Sequence, residues 1–250
     1  MIYLENTPNF TGVAVYGDHF DFDKLYDSLH AIVGEEGEYP SYESARIRVL
    51  GICYDIRHSI MGDRDIVLID NGITTDMMKY HSLIATSKNV YLGFNVLWPE
   101  LLFVTMALND FVKLYARKVS KDNYYETLDH RAIWDSSIAS VRSFQAAIAT
   151  HLLNSIPETS HGRILRLMND NFSSFGSYAT QYVDKLNGKF IRMTKEKREK
   201  NLTVMVKRIA EKGDDYQRVR TEVLEAAREY NCSMTEIRPI KDDYPEDFDW

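Results

Sequence analysis

The chain has 250 residues, 44% of them hydrophobic and 27% charged, with a formal net charge of -7. That composition excludes a wholly disordered, collagen-like or low-complexity chain and leaves ample surface to bury. Its two cysteines, Cys53 and Cys232, exclude a disulfide scaffold and a four-cysteine zinc site built from one chain, and they fit a reducing cytoplasm.

In chain order, residues 2–5 and 11–16 read as a strand pair separated by Asn6-Thr7-Pro8-Asn9. A helix follows over about 21–33, with Phe22, Leu25, Tyr26, Leu29 and Ile32 on one stripe and Gly34 as its C-cap. A second helix is predicted over about 42–61. It carries two stripes: Ala45, Val49, Ile52, Cys53, Ile56 and Ile60, then Ile47, Leu50, Tyr54 and Met61. A helix apolar on two sides is expected to be central and largely buried. A β-meander comes next. Ile66–Ile69 is a strand, Asn71-Gly72 a tight turn, Met77–Ala85 the returning strand, and Val90–Leu97 a third.

Val90–Leu108 approaches the length of a membrane span, but Pro99-Glu100 interrupts it. An acid at mid-bilayer costs roughly 2.5–3.5 kcal/mol on the insertion scale. The stretch therefore splits into a strand and a helix opened by Pro99. The start, MIYLENTPNF, lacks the regions of a signal peptide, so a soluble, cytoplasmic chain is expected.

Beyond about residue 120 only helices are predicted. Trp134 to Leu152 marks a long one, and Ile164, Leu165 and Met168 a short one. Phe175 to Leu186 marks another, closed by Asn187-Gly188. Thr194 caps a helix to about 212, ended by Gly213. Asp214 or Asp215 caps the last, along which Tyr216, Val219, Val223 and Ala227 align. The expected class is α+β: a small antiparallel sheet with helices in the N-terminal half and an all-helical C-terminal half. The expected divisions are 1–118, 119–232 and an acidic tail, 233–250, with the first two either separate or sharing one core.

Charge is distributed unevenly. Residues 1–65 carry -7, residues 185–220 carry +7, and the last ten, KDDYPEDFDW, carry -4. Lys195, Lys197, Arg198, Lys200, Lys207 and Arg208 are candidates for contact with phosphate. The same run also reads as a solvated helix face with i,i+3 and i,i+4 ion pairs. In the tail, Tyr244, Phe248 and Trp250 among acids make a candidate docking peptide, aimed at a groove on this chain or another. The plain alternative is a loose terminus.

The densest polar constellation surrounds the second helix. Arg48 and Asp55 fall two turns apart on one face with Gly51 between them, leaving room for a ligand or another backbone. Asp55, Arg57, His58 and Asp63 are the candidate catalytic set: a His held by a carboxylate can act as a general base, and an Arg can hold an anion. An internal Arg–Asp network would use the same residue types. No metal site is expected, because none of the seven histidines falls in a zinc-ligand spacing. No cofactor is expected either, since there is no P-loop or GxGxxG, and no nucleophile motif, since there is no GxSxG and Cys53 sits on an apolar stripe. The helical half resembles bacterial helical ribonucleases only through Arg142 and His151, whose separation departs from their Arg-to-His spacing.

The stretches ENTPNFTGVAVYGD (5–18) and YPSYESARIRVLGICYDIRHSIMGDRDI (39–66) resemble an uncharacterised family of small bacterial proteins, a domain of unknown function, over roughly the first 115 residues. The resemblance implies a bacterial cytoplasmic source and assigns no activity. The leading expectation is a binding or regulatory protein, homo-oligomeric or bound to a protein partner, working through its helical half and tail. One alternative is a nucleic-acid-acting toxin or phage-defence protein using the basic 185–220 surface. The other is a small-molecule hydrolase using Asp55, His58 and Asp63. Whether the chain is an enzyme stays open at this point.

Overall fold

A computed structural model of the chain describes residues 1–121, 126–169, 174–238 and 248–250. Strands β1 (Tyr3–Asn6) and β2 (Gly12–Gly17) pair antiparallel, as the apolar runs around Pro8 require. Helix α1 (His19–Val33) opens on a capping box between Asp18 and Asp21 and ends at Gly34, whose φ of 71° suits a residue without Cβ. Helix α2 (Glu43–Ile60) leads to β3 (Asp65–Asp70), α3 (Thr75–Tyr80) and β4 (Lys88–Leu97). The four strands form one antiparallel sheet in the order β1-β2-β4-β3. The class is α+β, as expected.

Helix α4 (Trp98–Val119) follows β4 directly, with Pro99 in its first turn. Eight of its first eleven residues are among the chain's buried hydrophobics, which is why its sequence looks like a membrane span. Among the described residues, no helix is long and apolar enough to cross a membrane. The remaining helices are α5 (His130–Ile133), α6 (Ser136–Asn154), α7 (His161–Met168), α8 (Gln181–Ile191), α9 (Lys195–Glu211) and α10 (Asp214–Glu229). Buried side chains from both halves, Phe10 through Val223, join in one cluster around α4.

Four local expectations are corrected. The second stripe of α2 is not buried: Ile47, Tyr54 and Met61 are 51%, 58% and 60% exposed. Its neighbours cover only the first stripe, Ala45 to Ile56. Met77–Ala85 is not a returning strand. Thr74 accepts a hydrogen bond from the Met77 N–H at 3.2 Å and starts α3 instead, so the β3–β4 connection is long and contains a helix. Asn187-Gly188 does not stop α8, which runs to Ile191 with both residues buried. Trp134 lies before α6 rather than on it, 84% exposed.

Candidate functional site

A cleft of about 1020 Å³ opens between α2, the exit of β4, α8 and the segments after α10. From α2 it takes Ile47, Arg48, Gly51 and Asp55, so the predicted Arg48–Gly51–Asp55 face lines it. A Cβ added at Gly51 would meet nothing within 4 Å, as expected of a glycine facing open space. Glu100 enters from the first turn of α4, and Gln181, Asp184 and Asn187 from α8.

Arg48 organises the floor. Its Nη1 donates to Glu100 Oε2 at 3.1 Å, and its Nη2 to Asp184 Oδ2 at 2.6 Å and to the Thr180 carbonyl at 3.0 Å. Asn187 Nδ2 donates to the same Glu100 oxygen at 2.9 Å. Glu100 keeps 18% of its side-chain surface, yet it is set deep enough for desolvation to push its carboxyl pKa up; Arg48 and Asn187 pull it back down. Arg48 was legible as part of a constellation in the sequence. Glu100 was visible only as an acid inside an apolar run. Asp184 carries no local signal, and Asn187 carried only that of a helix stop.

The candidate catalytic set is divided. Asp55 and Asp63 reach the cleft, whereas Arg57 is exposed and neither it nor His58 lines it. Asp55 accepts from Arg64 Nη2 at 3.0 Å. His58 Nδ1 lies 3.0 Å from Asp63 Oδ2, and its ring centroid is 4.2 Å from that of Tyr54. Burial pushes the Cys53 thiol up to about 12, so it is an inert core group. Among the described residues, no three His, Cys, Asp or Glu side chains come together as a metal site. Arg142 bonds Asn109 and Gln145, while His151 stacks on Trp98, so the two do not act on one point.

The tail tip comes back to the cleft. Phe248 and Trp250 line one end of it, their ring centroids 5.0 Å apart. The Asn9 N–H donates to the main-chain oxygen of Trp250 at 2.9 Å, and the Thr11 hydroxyl donates to the Asp249 carbonyl at 2.8 Å. A Cβ at Gly12 would lie 2.9 Å from the Trp250 ring and 2.1 Å from the Val96 carbonyl oxygen, so β2 leaves room for the indole only as glycine. Before the tip, Gln181 Nε2 donates to the Met234 and Ile237 carbonyls, both at 2.7 Å, and pins that segment to α8. Tyr244 lies outside the described residues.

The model of the family described as a domain of unknown function, DUF6904, matches residues 2–250. The chain belongs to the DUF6904 family. The match extends the resemblance in the first 115 residues over the helical half, and the cleft draws on both parts of this family domain. No curated protein and no solved structure matches the chain.

In this DUF6904 chain the basic stretch is only partly a surface. Arg198 is 7% exposed and spends its guanidinium on three main-chain carbonyls, so it does not belong to a phosphate-contacting face. Lys185, Lys189 and Arg218 all converge on Asp215, and hydrogen bonds from Lys189 first, then Lys185, hold its carboxyl well below the usual range. Lys195, Lys197 and Lys200 stay exposed on α9, Lys207 pairs with Glu211 at 3.6 Å, and Arg208 is half-buried.

Proposed function

We propose that the chain is a binding protein whose cleft takes short aromatic-bearing peptide segments, with Phe248–Trp250 as the resident occupant. The tip seated on Asn9 and Thr11 supports this reading most directly. Its two aromatic rings line the cleft, the Asp249 and Trp250 main-chain oxygens accept hydrogen bonds, and the Asp249 side chain faces solvent. This is how a peptide is recognised by backbone and ring rather than by charge. A tethered tip competes with any outside segment at an effective concentration of order mM, so the tail regulates access. Both cysteines are free, which supports a reducing, cytoplasmic setting.

The hydrolase alternative would rest on Asp55, His58 and Asp63, and His58 stands outside the cleft. The nucleic-acid alternative would rest on the exposed α9 lysines, a surface from which Arg198 is withdrawn by burial and Lys185 and Lys189 by pairing with Asp215. The peptide reading is preferred because the tip is seated on Asn9 and Thr11 at one end of the cleft.

The test uses the full chain carrying Phe248→Ala and Trp250→Ala, with a labelled KDDYPEDFDW peptide added in trans. The peptide should bind the double variant saturably and the wild type roughly tenfold or more weakly, because the wild-type tip competes. A peptide with both aromatics replaced by alanine should not bind. Equal binding to both proteins, or to neither, would overturn the reading.

A further inference from the structure

Residues 60–91 form an arm that contains no buried residue, although the chain is well packed on both sides of it, at Ser59 and Leu92. The arm is not polar. Ile66 and Leu68 are each 58% exposed and Val90 is 53%; Met77, Tyr80 and Ile84 are 47%, 85% and 100% exposed.

The three strand residues belong to the core face of the sheet. Phe94 and Leu92 are buried on β4, and Val90 follows them on the same face by the two-residue alternation of a strand. Across the ladder, Ile66 pairs with Leu92 and Leu68 with Val90. The apolar face therefore continues past the last side chain that the helices cover. β3 is also the edge of the sheet, and no main-chain hydrogen bond reaches it from beyond β4 among the described residues. A two-stranded extension of this kind is marginal alone, and an apolar open edge invites pairing.

We infer that the arm is a self-association surface whose occupant is the arm of a second copy of this chain, joined along β3. Three observations select a copy of itself. The six side chains leave on the order of 800 Å² open, one partner's share of a standard interface. Residues 61–90 carry four acids and three Lys or Arg, so two arms meet without a charge barrier, and the surface is not a cationic one for polyanions. β3 is self-complementary: a two-fold axis at Val67 sets Ile66 of each copy opposite Leu68 of the other, on the same apolar face. The two sheets then run on as one, and the edge is closed.

The inference rests on the arm and not on the cleft, and the experiment separates them. Sedimentation or light scattering of the full chain at tens of µM should give twice the chain mass of 29.0 kDa. Leu68→Asp with Ile84→Asp should return it to the chain mass with an unchanged far-UV circular dichroism spectrum. The Phe248→Ala, Trp250→Ala variant should keep the doubled mass; halving it would assign the seam to the tail and overturn the arm. A wild type at the chain mass, including one that binds lipid vesicles instead, overturns the proposal, as does an arm variant that stays doubled. If Leu68→Asp unfolds the chain, Val67→Cys decides: a reducible crosslinked pair on mild oxidation, absent from the wild type, supports the seam, and no crosslink overturns it.

Discussion

Replacing Arg48 by methionine should destabilise the chain by about 3 kcal/mol at neutral pH, because removing one partner of a largely buried pair strands the other charge. Here two acids are stranded. Arg48 is the counter-charge for both Glu100 and Asp184, and all three side chains are less than a third exposed. The loss should also have an unusual pH dependence. Desolvation raises the Glu100 carboxyl above its ordinary 4.5 in the folded state. Between the unfolded and folded values the folded state holds a proton that the unfolded state has released, so stability falls as pH rises through that window. Below the unfolded value the cost of Glu100 is absent. Removing Arg48, which pulls that carboxyl down, moves the upper end of the window to higher pH. The deficit of Arg48→Met should therefore shrink on acidification, and Glu100→Gln should recover part of it. Urea unfolding of wild type and variant at about pH 5.5 and about pH 8 checks the sign. A deficit that grows on acidification would mean that Glu100 is not the stranded group.

Arg198→Met should cost about 3 kcal/mol as well, although the sequence places this residue in a run of exposed cations. Its Nε donates to the Phe190 carbonyl at 3.0 Å and its Nη2 to Ile191 at 2.5 Å, the last two residues of α8. A cation there meets the negative end of the helix; the Phe190 carbonyl also accepts from the Met193 N–H, and the Ile191 carbonyl lies past the helix's own ladder. Its Nη1 donates at 2.8 Å to the carbonyl of Asn9, the residue whose N–H holds the Trp250 oxygen. The variant should therefore lose stability and also weaken docking of the tip. Arg198→Lys, with one point charge in place of a fork, should recover only part of either. Chemical denaturation gives the first readout, and Trp250 fluorescence against the Trp250→Ala variant gives the second. Wild-type stability in Arg198→Met would refute this account.

Much of the architecture was legible because it is set by neighbours in sequence. Pro99 placed the break between β4 and α4, since a residue without a donor suits a helix's first turn and not a strand. Gly34 closed α1, and the continuous apolar run Ile66–Ile69 made a strand. Where local signals competed, the wrong one prevailed. Asn71-Gly72 does turn the chain, with Gly72 at φ 77°, but the cap at Thr74 wins the next segment for α3. The candidate site was half legible for a similar reason. Arg48, Gly51 and Asp55 share a helix face that spacing reveals. Their partners come from α4 and α8, and Arg48 and Asp184 stand 136 residues apart.

Sequence alone therefore settled the α+β class, the strand pair at the start, the order of the main helices and the inertness of Cys53, since each follows from backbone propensity, capping or an apolar stripe. Tertiary packing decided which stripe of α2 is buried, which of the α9 cations is a buried tie, and that the tail tip lines one end of the cleft. Burial and charge pairing depend on what arrives from distant parts of the chain, and no local pattern records that. The arm joins both levels: its apolar run is plain in the sequence, and only the fold shows that nothing among the described residues buries it.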